Sequence, residues 1–240
     1  MLAHPDDAEI LCAGTLIKLA DAGWEIHIAT ATAGDCGTTS RPAVQISNIR
    51  RAEARASAAL IGATYHCLEC RDGFICYDPP TLACAHTLMR SICPTILFTH
   101  APRDYMVDHE ETSRIARSAS FAFGCRNISP SPIRIPDAAV PWLYYCDPIE
   151  GRDPLGQLVT PTTVIDITAE QTRKLKMLAC HESQREWLRV HHGIDEYLEA
   201  TRRHDALRGS LIGVAAAEAF VQHRGHGYPQ NDVLAEMFGT

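Results

Sequence analysis

The chain has 240 residues, 46% hydrophobic and 21% charged, which rules out disorder, collagen and coiled coil as its main class. With 22 Lys+Arg against 29 Asp+Glu the formal charge is −7, and a phosphate-backbone binder carries a basic excess, so nucleic acid is not the expected partner. No apolar run approaches the roughly 18 residues of a membrane span and no charged start precedes a long apolar stretch, so no span and no signal peptide are expected, and the location reads as cytoplasmic.

Residues 8–21 set Ile10, Leu11, Leu16, Ile17 and Leu19 on or near one helical face. Ala22-Gly23 turns the chain, and residues 25–30 alternate as a strand. Gly34-Asp35-Cys36-Gly37 reads as a loop; it lacks the Lys-Ser/Thr of a phosphate loop and fits the substrate side of a site better. An Ala-rich helix over 42–61 stops at Gly62. A short strand over 64–68, a helix over 81–93, an apolar strand over 95–99 and a helix over 109–123 follow. Strands alternating with helices predict an α/β chain with a doubly wound, mostly parallel sheet, whose ligands bind at the carboxyl ends of the strands. A Pro-rich loop from Ser129 to Pro141 leads to strands near 142–146 and 163–167. Helices near 169–188, 195–207 and 210–222 form a helical C-terminal cap, with Ala215–Phe220 as a small-residue helix face. No repeat or convincing linker divides the chain, so residues 1–240 read as one domain. The first strand of this topology should precede residue 4, where Met1-Leu2-Ala3 stand against the about five residues of an ordinary strand. Either that strand is very short or the true start lies upstream.

Ten cysteines run from Cys12 to Cys180. Disulfide frameworks belong to small secreted chains, so most are read as buried thiols, and Cys67-x-x-Cys70 has no second pair at zinc-finger spacing.

His4-Pro5-Asp6-Asp7 falls where the first strand hands over to a helix, at the carboxyl edge of the sheet. A histidine and two carboxylates suit a metal such as zinc, whose catalytic sites take three protein ligands and keep a position for water. Asp104-Tyr105-Met106-Val107-Asp108-His109 follows another strand end, with His100 at that end. The structural alternative is helix capping by the aspartates, with His100 a core histidine and Asp104 a solvated loop residue. Trp187, His191, His192 and Tyr197 fit an aromatic sugar wall or a packed helical cap, with packing favoured. The loop Gly225-His226-Gly227-Tyr228-Pro229 reaches either the pocket or a neighbouring subunit.

These residues also carry a family resemblance. Ala3-His4-Pro5-Asp6-Asp7-Ala8-Glu9 resembles the AHPDD-[AE]-E signature of the PIG-L/LmbE zinc-dependent N-deacetylases, which act on N-acetylglucosamine-type sugars and related amides. Thr32–Gly37 resembles the family's T-x-G-x-x-G loop, and Arg50-Arg51-Ala52-Glu53 with Ala58-Ala59 and Leu60-Ile61-Gly62 its RxxE…AA…LG helix. Arg71-Asp72-Gly73 resembles its D-G turn, Asp104…Asp108-His109 its D-x-H-x-D-H segment, and His181-Glu182-Ser183-Gln184 its H-x-S-Q helix. The resemblance spans roughly residues 3 to 220.

It implies a Rossmann-like fold and Zn(II) held by His4, Asp7 and His109, a ligand set that Fe(II) also accepts. It implies Asp6 as the base that returns its proton to the leaving amine, and Asp72 with Arg50 or Arg51 on the substrate. Asp104 and Asp108 are candidates to orient the imidazoles. Met106 stands where the family has a histidine that helps stabilise charge near the oxyanion, and a thioether cannot donate a hydrogen bond. His100, Tyr105, His181 and His226 are the candidates to replace it. Met106 also motivates an alternative, a metal-binding but catalytically weak sugar-binding protein of the same fold. A third reading is a nucleotide-binding doubly wound protein. The implied partner is a small-molecule amino sugar, with a homo-oligomer left open.

Overall fold

The strand ladder is built from short apolar runs whose alternate residues face opposite layers. In the computed structural model, which describes residues 1–128, 139–185 and 196–239, β1 (His27–Thr32) pairs in parallel with β2 (Thr64–Cys70). A second sheet has the order β3 (Ile96–Thr99), β4 (Trp142–Cys146), β6 (Ala217–Gln222), β5 (Thr163–Asp166). β3 and β4 are parallel, whereas β6 runs antiparallel to both neighbours.

Residues 1–3 join the two sheets. Leu2 bridges Thr30 in parallel, its N donates to Ala29 O and its O accepts from Ala31 N, while Met1 N donates to Phe98 O across the other side. Residues 1–3 thus occupy the place expected for the first strand. From this central position the chain winds first toward β1 and β2, then back to β3. The carboxyl ends of residues 1–3 and of β3 therefore flank the point where the winding direction switches, the place where an open α/β sheet leaves a crevice.

The two faces of the sheet are covered by different helices. Phe98 and Tyr144 turn into one apolar layer with Leu11, Ile17 and Met177, which come from α1 (Asp7–Leu11), α2 (Ala13–Asp21) and α6 (Gln171–Ala179). Leu97, Leu143 and Tyr145, one residue away on the same strands, turn into the opposite layer with Met89 of α4 (Pro79–Ile92) and Ile115 of α5 (Val107–Ala122). That is the period of two expected of strands buried on both faces. α3 (Ala43–Ala59) links β1 to β2, α7 (Glu196–Gly209) packs on β6, and α8 (Val233–Phe238) packs on β5.

Several expectations are corrected. The helix expected over 8–21 breaks at Cys12, whose backbone leaves helical geometry. The helix expected over 210–222 is in part the strand β6, and Ala215–Phe220 is not a helix face. Ala favours helices in isolation, but here Ala217 and Ala219 are fully enclosed between β4 and β5, and tertiary pairing overrides propensity. The thiols are not mostly buried: Cys12 and Cys146 are, while Cys36, Cys76, Cys84 and Cys125 are exposed, and all ten are free. Trp187, His191 and His192, and most of the Pro-rich loop, lie outside the described residues. Among the described residues no helix is long and apolar enough to cross a membrane.

Candidate active site

The site is assembled from strand ends. His4 follows the short first strand, Asp72 follows β2, His100 follows β3, and Asp104, Asp108 and His109 occupy the turn into α5 and its first residues. Asp6 and Asp7 stand where α1 begins.

His4, Asp7 and His109 bring one ligand atom each to within 4.8 Å of one another, and all three are buried. His109 Nε2 lies 3.6 Å from Asp7 Oδ1, and its Nδ1 lies 2.9 Å from Asp104 Oδ1. His4 Nδ1 lies 3.4 Å from Asp7 Oδ2, while its Nε2 faces Asp72 Oδ1 at 3.2 Å and Asp108 Oδ2 at 3.5 Å. Each imidazole thus turns one nitrogen toward Asp7 and the other toward a further carboxylate, the arrangement that fixes tautomer and orientation in metal-binding histidines. His109 Nε2 is buried without a hydrogen-bond partner. Two imidazoles and a carboxylate fit zinc or iron(II), and the orphaned nitrogen is the kind of group such an ion satisfies. His4 also belongs to a second group with Asp72 and Asp108, and His109 to a third with His100 and Asp104.

Charges in this pocket are strongly coupled. Burial alone would lower His4, but hydrogen bonds to Asp108, Asp7 and Asp72 outweigh it and push the imidazole up to about 12. Burial would likewise raise Asp7, yet the His109 and His100 rings hold its carboxyl well below the usual range. His109 is raised, with Asp7 and Asp104 outweighing burial. A dication would compete with the protons these carboxylates hold on the imidazoles.

Asp6 is different. It occupies the N-cap position of α1 yet makes no side-chain capping bond. The capping alternative therefore fails for this residue. Its backbone sits at φ 106, a region that costs a non-glycine residue of order 1–3 kcal/mol and persists where the surroundings enforce it. Its Oδ2 accepts from Tyr197 Oη at 2.6 Å and lies 3.4 Å from Arg50 Nη2. Burial pushes the Asp6 carboxyl up, Asp7 adds to this, and Arg50 opposes it. Arg50 Nη2 also donates to Pro5 O at 2.7 Å. Its guanidinium lies so close to Gly34 and Gly37 that a Cβ at either position would collide with it, and Gly34 adopts φ 72. Those glycines keep the loop against Arg50.

A cavity of about 700 Å³ opens over His4, Asp6, Asp7 and His109. Asp72 and Arg50 line it from one side, Tyr105 and Met106 from another, and α7 closes it with Tyr197 and His204. Asp72 also takes Cys36 N on its Oδ2 at 3.1 Å. A smaller cavity of about 260 Å³, between the start of β1 and β3, is lined by none of the metal-group residues.

Other expected site residues stand apart. Arg51 turns away to Glu69 on β2. His226 is exposed on the loop after β6 and does not line the cavity. His100 is fully buried beneath the site, stacked on His109 at 3.8 Å, with Nε2 facing Ala3 N and Asp7 Oδ2. Burial drops it to about 4. His181 is buried with Nε2 3.2 Å from Glu9 Oε1. Tyr197, read above as packing, is the residue that sequence reasoning missed; a lone tyrosine 191 positions from Asp6 leaves no motif to find.

Residues 1–120 match the family model PIG-L, GlcNAc-PI de-N-acetylase. The chain is 23% identical over 190 residues to 4-oxalmesaconate hydratase of Pseudomonas putida KT2440, covering 76% of this chain and 71% of the hydratase. Among solved structures it is similar to N,N'-diacetylchitobiose deacetylase from Pyrococcus horikoshii, with a TM-score of 0.78 and 25% identity over 97% of this chain and 86% of that one. It is also similar to the 4-carboxy-2-hydroxymuconate hydratase of Pseudomonas putida KT2440, with a TM-score of 0.76 and 19% identity over 96% of this chain and 98% of that one.

Proposed function

The chain belongs to the GlcNAc-PI de-N-acetylase (PIG-L) family, and from that membership we propose that it is a metal-dependent N-deacetylase removing the acyl group from an N-acetylglucosamine-type sugar or a related amide. The observation that carries this reading is Asp6, a carboxylate that neither caps its helix nor belongs to the metal group, yet is held beside that group over the cavity. His4, Asp7 and His109 would hold the ion, zinc(II) in this reading and iron(II) as the other candidate. The ion would supply an acidified water and a polarised carbonyl. Asp6 takes the proton from the attacking water as the new C–O bond forms. It then gives that proton to the nitrogen as the C–N bond breaks, because an unprotonated amine is a poor leaving group. The products are acetate and a free amine. Asp104 and Asp108 keep the imidazoles oriented, while Asp72 and Arg50 face the substrate.

The relatives include hydratases, whose named substrates are carboxylates. Charge favours the amide. Among the described residues, the cavity is lined by the carboxylates Asp6, Asp7, Asp72 and Glu196, with Arg50 its one Lys or Arg side chain, and Arg50 is already engaged by Asp6 and Pro5 O. Such a wall suits an uncharged amide and a cationic amine product better than a polycarboxylate. Met106 favours a second reading, a metal-binding protein of the same fold with little turnover.

Elemental analysis of the wild type and of His109→Ala tests the ligand set, with about one zinc or iron per chain expected in the first and loss in the second. An amine-release screen of N-acetyl sugars then tests the reaction, with Asp6→Asn expected to keep the metal and lose about 10²- to 10⁴-fold in kcat. Metal in both proteins, or in neither after reconstitution, rejects the site as described.

A further inference from the structure

Tyr197 belongs to none of the motifs around the metal group, yet it makes the shortest contact to Asp6. Its ring is buried at the cavity wall, and Oη donates to Asp6 Oδ2 at 2.6 Å. Arg50 Nη2 approaches the same oxygen at 3.4 Å. Both contacts fall on Oδ2, so Oδ1 is the oxygen left for a travelling proton. The φ of 106 at Asp6 means that its carboxylate direction is imposed from outside rather than by helical geometry.

The helix that presents Tyr197 is itself fixed. On α7, Asp205 takes Lys174 Nζ at 2.7 Å, and Lys174 also bonds Glu218 Oε1 of β6 at 2.8 Å. One turn on, Arg208 pairs with Asp147. All these side chains are buried. A phenol on so anchored an element holds its partner to a fraction of an ångström, the tolerance that proton transfer requires.

We infer that Tyr197 is a positioning residue for the reaction: its hydroxyl fixes the Asp6 carboxylate so that Oδ1 meets first the water and then the leaving nitrogen. This rests on Asp6 as the proton carrier proposed above. A tyrosine that merely packed α7 against the site would be replaced by phenylalanine without loss of kcat, since the ring volume is kept and the lost buried hydrogen bond costs stability alone.

Tyr197→Phe, reconstituted with zinc and assayed for amine release from N-acetylglucosamine or the best substrate of the screen, separates the two. The expected result is a kcat lower by about 10- to 100-fold, with KM unchanged within about twofold and zinc content as in the wild type. An unchanged kcat overturns the inference. So does a raised KM at unchanged kcat, which would make Tyr197 a substrate contact. Should the wild type release amine from none of the N-acetyl sugars, the deacetylase reading falls, and crystal structures of the zinc-loaded wild type and Tyr197→Phe decide the positioning role separately. A rotated Asp6 carboxylate in the variant supports it, and an unmoved one overturns it.

Discussion

A methionine at position 106 is the residue whose chemistry departs furthest from its surroundings. It is half-buried, lines the cavity immediately before α5 and has no proton to donate. An amide carbonyl attacked in this cavity gains from a donor aimed at the developing oxyanion. Met106→His is therefore expected to raise kcat on an N-acetyl sugar about 10-fold or more. An unchanged or lower rate would mean that the carbonyl oxygen meets its donor elsewhere, and Tyr105, whose ring centroid lies 5.3 Å from that of His109, is the neighbour to vary next. At this scale the clusters at 4–7 and 104–109 were legible because the histidines and aspartates that meet came in tight sequence groups. Asp72 was legible by its turn, although its contact with His4 was not. Tyr197 and the outward turn of Arg51 were illegible, since both depend on which helix face meets which strand end. Sequence spacing does not encode that.

Elements of the second half are tied by buried charge rather than by apolar contact alone. Glu218 of β6 accepts from Gly14 N, Thr15 N and Thr15 Oγ1, which caps the start of α2, and bonds Lys174 of α6, which reaches Asp205 of α7. Removing the cation leaves two buried carboxylates facing one another, so Lys174→Met is expected to cost about 3–5 kcal/mol in urea denaturation. A near-neutral result would mean that the two carboxyls share a proton. The same network explains why β6 escaped sequence reading. Ala215–Phe220 reads as a helix by propensity, while its place in the sheet is set by β4 and β5 and by a glutamate whose partners lie 44 and 204 residues away. The N-terminal half was legible because there strands and helices alternate as local apolar patterns. On α7, burial and then the charges of Lys174 and Arg208 drop His204 to about 3 from 6.5. Between those values the unfolded chain binds a proton that the folded chain refuses. The stability from His204 is thus complete above pH 6.5 and is lost as pH falls toward 3, at up to about 1.4 kcal/mol per pH unit. Asp147 and Asp205, pushed up to about 6 by burial, act in the opposite sense and are present in both proteins compared. His204→Gln should therefore flatten the acid limb of stability relative to the wild type. Parallel limbs would show that His204 protonates in the folded chain.

Across the whole molecule the site closes a loop between the first residues and α5. His4 and Asp7 come from the start of the chain and His109 from the first turn of α5, and they meet because residues 1–3 lie between β1 and β3. Around them Asp6, Asp7, Asp72, Asp104 and Asp108 are all largely buried, with Arg50 the fixed cation at their edge. So many carboxylates repel one another unless protons or a dication sit among them. An ion bound there stabilises the folded chain by linkage, since the unfolded chain has no preformed site. At free metal about 100 times the dissociation constant the gain is about 2.7 kcal/mol. For a chain of this length that is roughly 5–10 °C in melting temperature. Chelation is accordingly expected to lower the wild-type midpoint by that amount, reversibly on adding zinc, and to leave His109→Ala unmoved. If chelation strips the metal from the wild type without moving its midpoint, the imidazoles and carboxylates are held by the fold and its protons alone, and the ion is a passenger on a preorganised pocket. If both proteins shift equally, the metal that matters for stability sits away from His109. The sign of the expected effect follows from the same geometry as the proposed chemistry, because the residues that would hold the ion are those that tie the central strand end to α5.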